Sequence, residues 1–393
     1  MANNFTFYSP TEIVFGRGTQ GSTADYIKKY HGSRVLVVYG SERVVKSGLM
    51  DSIVAPMRAA GLECWLLGGV VPNPHLGKVY EGIGIGKREG VDFLLPVGGG
   101  SVIDSAKAIG YGLANDFDVW DLYDRKNTAK ACAPLGAVLT IAAAGSEMSD
   151  SSVITKEEGG IKRGYNCDLC RCKFAVMNPE LTYTLPAYQT ACGAADIMMH
   201  VMERYFVTED TLALTDGMAE ALIRTVMENA PIALKEPENY KARAEILWAS
   251  SLAHNGLMNC GGPKGDWACH QLEHELGGMF DVAHGAGLAA VWGSWARYVC
   301  GEKPQRFAQF AHRIFGIPCQ GDAKETALKG IEAMEDFYRS IGMPVNIREL
   351  GCELTEEQIS TLAEKCCFGG RTIGLFKVLG KEDIREIYRM AKG

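Results

Sequence analysis

The residues best equipped to do chemistry in this sequence are one aspartate and a group of histidines. Asp196 and His200 stand four apart, as do His270 and His274, so on a helix each pair shares one face. His284 follows in the glycine-flanked stretch Ala283-His284-Gly285-Ala286-Gly287. One carboxylate and several imidazoles suit Fe²⁺, Zn²⁺ or another borderline divalent ion. Such an ion with an open coordination position polarises a substrate oxygen. Spacing alone leaves open which of His270, His274 and His284 would be ligands. The other histidines, His31, His75, His254 and His312, read as residues that satisfy local hydrogen bonds.

A second constellation is Gly98-Gly99-Gly100-Ser101, set between the apolar run Phe93-Leu94-Leu95-Pro96-Val97 and a helical stretch from Val102. Glycines at that junction let the backbone approach a ligand closely, and the helix start offers free N–H groups to an anion. A dinucleotide pyrophosphate is the natural occupant. Three successive glycines exceed what a tight turn of positive φ needs. Asp104, one turn into the helix, is placed to touch the cofactor or simply to favour the positive helix end. Gly82, Gly84 and Gly86 imitate a dinucleotide fingerprint, but the third glycine of G-x-G-x-x-G is absent. They lie inside a helical stretch and point to close helix packing. At the end of an earlier strand, Gly40-Ser41 lacks the acidic residue that favours the free ribose hydroxyls of NAD(H). Ser41, Arg43 and Lys46 are placed to receive a 2′-phosphate, so NADP(H) is expected. Glu42 is the feature that speaks for NAD(H).

These groups need elements to position them. The first half alternates as a parallel α/β sheet does, with strands at 34–39, 63–67, 93–97, 135–139 and 174–177 and helices at 48–60, 76–89 and from 102. Near Thr184-Leu185-Pro186 the texture changes, and apolar residues recur at helical spacing in 196–206, 215–228 and 243–257. The expected fold is an α/β dinucleotide-binding domain, mostly parallel and Rossmann-like, over residues 1–185, followed by an all-helical metal-binding domain over 186–393.

Bulk properties narrow the function. A chain of 393 residues, nearly half of them hydrophobic, suits two globular domains. The formal charge of −7 and the lack of any basic block exclude a nucleic-acid surface. Met1-Ala2-Asn3-Asn4 starts no signal peptide, and the apolar stretch 135–144 is too short for a bilayer, so a cytoplasmic location away from membranes is expected. Thirteen irregularly spaced cysteines read as reduced thiols. Cys167, Cys170 and Cys172 form a C-x-x-C-x-C cluster without a second half. It reads as a loop of free, oxidation-sensitive thiols rather than a metal site.

With these motifs assembled, the sequence resembles the iron-containing (group III) alcohol dehydrogenases, and within them the butanol dehydrogenase-like, NADPH-dependent aldehyde reductases. The resemblance runs through Val71-Pro72-Asn73-Pro74, Gly98-Gly99-Gly100-Ser101-Val102-Ile103-Asp104 and Asn178-Pro179-Glu180-Leu181-Thr182-Tyr183-Thr184-Leu185-Pro186. It continues through Asp196 with His200, Ala230-Pro231-Ile232-Ala233-Leu234-Lys235-Glu236-Pro237-Glu238-Asn239-Tyr240, Trp267-Ala268-Cys269-His270-Gln271-Leu272-Glu273-His274-Glu275-Leu276 and the turn at His284. It implies that Asp196, His200, His270 and His284 hold the metal, iron in this family. His274 is then a non-ligand beside nicotinamide and substrate, a candidate proton relay. It also places Gly40, Ser41, Asn73, Thr140, Ser149 and Lys162 around the cofactor, Lys162 suiting a ribose or phosphate where an exposed loop lysine is the alternative. A small or medium aliphatic aldehyde or primary alcohol is the implied substrate, and a homodimer or larger assembly the implied state. Ala142-Ala143-Ala144-Gly145-Ser146 departs from the threonine-richer loop of some NAD-linked relatives. Glycerol dehydrogenase and dehydroquinate synthase, which share this architecture, are the alternatives on the same scaffold. A metal-dependent hydrolase without nucleotide would leave the 98–101 loop unexplained.

Overall fold

In a computed structural model of the protein, which describes residues 3–207, 212–319 and 321–393, the chain divides into two compact units. One is Tyr8–Thr184. The other is Leu185–Gly393 together with the first residues of the chain.

The Tyr8–Thr184 unit carries strands β1 (Glu12–Phe15), β2 (Arg34–Tyr39), β3 (Glu63–Leu67), β4 (Phe93–Gly98), β5 (Ala137–Leu139), β6 (Ser151–Lys156), β7 (Ile161–Asn166) and β8 (Phe174–Met177). Its helices are α1 (Thr23–Lys29), α2 (Arg43–Lys46), α3 (Leu49–Ala59), α4 (Leu76–Glu89), α5 (Gly100–Ala114) and α6 (Trp120–Tyr123). Six strands pair in parallel in the order β1-β8-β5-β4-β2-β3. Arg34-Val35-Leu36-Val37-Val38-Tyr39 is an unbroken apolar run because both faces of β2 are covered, as in parallel sheets generally. Val35, Val37 and Tyr39 join a core with Ile27 of α1 and Met50, Ile53 and Met57 of α3. Helices α4 and α5 pack on each other and cover the opposite side. A Cβ on Gly82 would stand 2.3 Å from Ile109, and one on Gly86 2.7 Å from Leu113, so these α4 glycines exist for close contact with α5.

The strand order defines where a ligand belongs. From β2 the chain moves outward to β3, whereas from β4 it moves the other way to β5. The carboxyl ends of the neighbouring strands β2 and β4 therefore flank a switch point, the usual ligand crevice of such sheets. Gly40-Ser41 follows β2, and Gly99-Gly100-Ser101 follows β4.

Two features escaped the sequence pattern. β1 is a four-residue edge strand with no long apolar run. β6 and β7 form a separate antiparallel hairpin, and Ile161-Lys162-Arg163-Gly164-Tyr165-Asn166 is too polar to read as a strand on its own. The expected strand at 135–139 is regular only from Ala137, Leu135 making an isolated bridge to Leu94. The helix expected from Val102 begins two residues earlier, at Gly100.

The second unit is helical: α7 (Ala187–Tyr205), α8 (Ala213–Lys235), α9 (Tyr240–His254), α10 (Ala268–Phe280), α11 (His284–Val299), α12 (Pro304–Phe315), α13 (Ala323–Ser340), α14 (Glu356–Cys366) and α15 (Lys381–Ala391). Among its described residues the only β pairing is an isolated bridge between Ile373 and Leu379. Helix α7 is central, buried on every side from Thr190 to Tyr205, and packs against α8, α9 and α11. A helix hidden all round is normally apolar. This one carries Asp196, His200, Glu203 and Arg204, and those polar groups must find partners inside.

Candidate metal centre and nucleotide loop

Asp196, His200 and Glu203 sit at i, i+4 and i+7 of α7 and so share one face. His270 lies in the first turn of α10, and His284 is the first residue of α11. The start of α11 presses directly on α7: a Cβ on Gly285 would stand 2.0 Å from the carbonyl oxygen of Cys192. Gly285, next to His284, thus permits an approach that any side chain would block.

Asp196, His270 and His284 each offer a donor atom, and the donors lie within 4.8 Å of one another. From Oδ1 of Asp196 the distances are 3.4 Å to His200 Nε2, 3.8 Å to His284 Nε2 and 4.0 Å to His270 Nε2. A tetrahedral shell with metal–ligand bonds of about 2.1 Å has edges of about 3.4 Å, so this spread closes on an ion with small adjustments. His200 stands just outside the mutual group of three and joins it through Asp196. Its ring centroid is 4.6 Å from that of His270.

The protonation pattern suits a cation. Burial pushes the His270 imidazole down to about 3, leaving it neutral, and burial with the neighbouring His254 and His270 lowers His200 as well. His270 Nδ1 lies 3.1 Å from Glu203 Oε1, which also accepts the His270 backbone N–H at 3.0 Å. Burial raises Glu203, the nearby N–H groups of the His270 segment offset part of that rise, and the group ends up at about 7. An ionised Glu203 only accepts, and the His270 ring then carries its proton on Nδ1 and presents the Nε2 lone pair. That Nε2 is buried with no hydrogen-bond partner. His284 Nδ1 is hydrogen-bonded in the same way to Glu273 Oε2. Carboxylate–histidine pairs of this kind characterise metal-bound imidazoles, and the residues present fit a divalent ion.

His274 is buried one turn beyond His270. Its ring centroid is 6.5 Å from His270 and 5.9 Å from His284, beside the donors and outside the group. His254, read from the sequence as satisfying local hydrogen bonds, stacks on His200 with centroids 4.0 Å apart. The sequence pattern missed Glu203 and Glu273. The only available signal was the i, i+4, i+7 spacing of Glu203 behind Asp196 and His200.

In the α/β unit, none of Gly98, Gly99 and Gly100 adopts positive φ. What they provide is room. A Cβ would meet Val102 at 2.5 Å from Gly98, Ile141 at 2.0 Å from Gly99 and Ala144 at 3.1 Å from Gly100. The loop therefore lies flat under α5, whose N-terminus carries no side-chain cap. Thr140 is fastened to it by its N–H, 3.1 Å from the Gly98 carbonyl. Gly40 abuts the same place, since a Cβ there would stand 3.7 Å from Val102. Asn73 is buried in a left-handed conformation (φ 52°) that asparagine tolerates. The Thr155 N–H donates to the Pro74 carbonyl at 2.7 Å, and Thr155 pairs with Lys162, so the hairpin brings Lys162 alongside the Asn73 segment. Lys162 is a buried strand residue, not an exposed loop lysine.

Four expectations are refined. The Asp104 carboxylate accepts from Ser146 Oγ at 2.6 Å and from the Val153 N–H at 2.9 Å, fastening α5 to the following loop and β6. Ser149 is buried within the same network. Arg43, one of the three polar groups expected to receive a 2′-phosphate, donates to the Thr184 carbonyl at 2.6 Å. Cys170 and Cys172 are buried, and burial raises both thiols, Cys172 to about 12, so they stay protonated rather than oxidation-prone.

Comparison with known proteins gives one family for both units. Residues 10–179 match the family described as iron-containing alcohol dehydrogenase, and residues 190–392 match the C-terminal family of Fe-containing alcohol dehydrogenases. The chain is 40% identical over 387 residues to the probable NADH-dependent butanol dehydrogenase 1 of Bacillus subtilis, covering 98% of this chain and 99% of that protein. It is 34% identical over 394 residues to the NADPH-dependent aldehyde reductase YqhD of Escherichia coli, covering 99% and 100%. The crystal structure of NADH-dependent butanol dehydrogenase A from Thermotoga maritima superposes with a TM-score of 0.96 at 38% identity, over 100% of this chain and 99% of that one. With a parallel sheet that ends in a glycine loop, and a helical unit that gathers one aspartate and three histidines, the chain belongs to the iron-containing alcohol dehydrogenase family and is an oxidoreductase of the alcohol dehydrogenase and aldehyde reductase type.

Proposed function

We propose that the protein interconverts a small to medium aliphatic aldehyde and its primary alcohol with NADP(H), using Fe²⁺ or Zn²⁺ held by Asp196, His200, His270 and His284. The observation that carries this reading is the convergence of three imidazole Nε2 atoms on Asp196 Oδ1, at 3.4, 3.8 and 4.0 Å. Bound there, a divalent ion supplies Lewis acidity toward a carbonyl oxygen, and a reduced nicotinamide supplies the hydride.

The chain's own residues do the rest. Glu203 and Glu273 hold the ring protons on Nδ1 of His270 and His284, keeping the Nε2 lone pairs free. The uncapped start of α5 and the 98–101 loop receive the pyrophosphate on backbone N–H groups. Gly40, Ser41, Asn73, Asp104, Thr140, Ser149 and Lys162 shape the remaining nucleotide contacts, Asp104 and Ser149 by bracing the loop. His274 gives a proton to, or takes one from, the product oxygen, since an imidazole does both. The butanol dehydrogenase and aldehyde reductase relatives support the aliphatic substrate.

The nucleotide choice rests on Ser41, Lys46 and the lack of a carboxylate at Gly40. NAD(H) is the second reading, favoured by Glu42, which Tyr39 Oη contacts at 3.4 Å, and by the NADH-dependent relatives. The test is a spectrophotometric assay of butanal with NADPH and with NADH, on protein stripped by chelator and on protein reloaded with Fe²⁺ or Zn²⁺. Faster metal-dependent oxidation of NADPH is expected. Oxidation of NADH alone would keep the reaction and overturn the 2′-phosphate reading. No oxidation of either, with several aldehydes and both metals, would overturn the proposal.

A further inference from the structure

Glu203 makes an unusual set of contacts for a side chain that is 2% exposed. Its Oε1 accepts both from the His270 ring, at 3.1 Å from Nδ1, and from the His270 backbone N–H at 3.0 Å. Helix α10 lacks a side-chain cap at its own N-cap residue, Trp267, which is held at φ 64°. A carboxylate from α7 thus replaces that missing cap, where the helix dipole favours negative charge. Arg204 secures the same junction, its guanidinium 4.5 Å from the Trp267 ring and 2.6 Å from the His200 carbonyl.

The candidate ligands are not treated alike. Glu273 braces His284 from within α10, and it is packed against α11: a Cβ on Gly287 would stand 2.9 Å from its Cγ. His200 Nδ1 is buried without a hydrogen-bond partner, and a stacked ring, His254, takes the place of a carboxylate. Only His270 is held at backbone and ring by one oxygen, so its Nε2 cannot swing away without breaking the start of α10.

We propose that Glu203 is a positioning residue for the metal, fixing the tautomer and direction of His270 so that its Nε2 faces Asp196. The inference rests on the metal site proposed above. Carboxylates placed behind an imidazole also raise its basicity, and their loss typically weakens metal affinity by about 10–100-fold. Glu203→Gln is the informative change, since an amide oxygen still accepts from the His270 backbone N–H while the charge behind the ring is gone. Asp266→Asn is the control. Asp266 accepts the Ala268 N–H at 3.1 Å at the same helix end but touches no proposed ligand.

The experiment is Zn²⁺ binding to chelator-stripped full-length protein, measured by competition with a chromophoric chelator, with circular dichroism as the check on folding. The Zn²⁺ dissociation constant of Glu203→Gln is expected to rise about 10–100-fold, with Asp266→Asn within about threefold of wild type. Glu203→Asp, which withdraws the carboxylate by one methylene, is expected to weaken Zn²⁺ in the same direction and serves if the glutamine variant does not fold. Glu203 variants that bind Zn²⁺ like wild type would overturn the inference and leave the site intact. Equal weakening in Asp266→Asn would also overturn it, showing a loosened helix end instead. Wild-type protein that binds neither Zn²⁺ nor Fe²⁺ would remove the site, and the inference with it.

Discussion

The amine of Lys107 lies 3.0 Å from the Ser149 carbonyl and 3.2 Å from the Ser149 hydroxyl, on a side chain with no solvent exposure. It also donates to the Ser146 carbonyl at 2.7 Å, to the Ser146 hydroxyl at 3.1 Å and to the Ser151 carbonyl at 2.7 Å. One buried cation thereby ties the helix behind the glycine loop to the entire segment leading into β6. Ser146 passes the connection on to Asp104, so the brace under the 98–101 loop is continuous.

Lys107→Met keeps the volume of the side chain and strips these oxygens of their donor. Buried acceptors left unsatisfied are costly, and a loss of about 3 kcal/mol of stability is expected, with weaker NADPH binding. Urea denaturation and fluorescence titration of NADPH read the two effects. An unchanged midpoint with unchanged affinity would show that the amine braces nothing.

Gly99→Ala tests the loop itself. The added Cβ would stand 2.0 Å from Ile141 Cγ2, and either the loop or the start of the 140s segment must move. Overpacking of this kind costs about 1–3 kcal/mol, and the displaced backbone N–H groups would no longer meet a pyrophosphate. Nucleotide affinity is expected to fall at least tenfold, read by calorimetry. Gly84→Ala, where a Cβ meets nothing within 4 Å, is expected to bind as wild type.

What could be read before the structure follows from range. Strands β2 and β4 were legible because burial on both faces makes them unbroken apolar runs, and the 98–101 glycines because they interrupt one abruptly. Asp196 with His200 and His270 with His274 were legible because helical spacing is local. Glu203, Glu273 and Lys107 were not. A charged residue inside a helix normally reads as solvent-facing, and what makes Glu203 interior is His270, 67 residues away. Lys107 likewise depends on serines 39 and 42 residues downstream. The strand that carries Lys162 was not legible either: it is too polar to announce itself, and it forms by pairing with β6, Lys162 opposite Thr155.

Asp266 gives a pH dependence with a definite sign. Its carboxylate accepts from the Leu375 N–H at 2.6 Å and the Phe376 N–H at 2.7 Å, yet burial and the nearby Glu203 charge push it up to about 7. A carboxyl group raised above its unfolded value of about 3.9 binds more protons in the folded state between those limits. Its contribution to stability is then fully present below about pH 4 and is lost as pH rises through about 7. Relative to Asp266→Asn, which cannot titrate, wild type is expected to lose melting temperature between pH 5 and pH 8. Parallel melting curves for the two proteins across that range would show that Asp266 keeps an ordinary carboxyl.

His274 separates chemistry from metal retention. It lies one turn from His270, outside the donor group, so Ala in its place removes no proposed ligand. General acid–base groups typically contribute about 10²–10⁴-fold to a rate, which sets the expected loss of kcat in His274→Ala. Metal content by atomic absorption should stay at the wild-type ratio, and the pH profile of kcat should lose the limb that the imidazole supplies. A variant that loses metal as well as rate would make His274 part of the metal's support. Wild-type kcat with an unaltered pH profile would leave the product oxygen to exchange its proton with water, and the role of the buried imidazole would then be packing between the rings of His270 and His284.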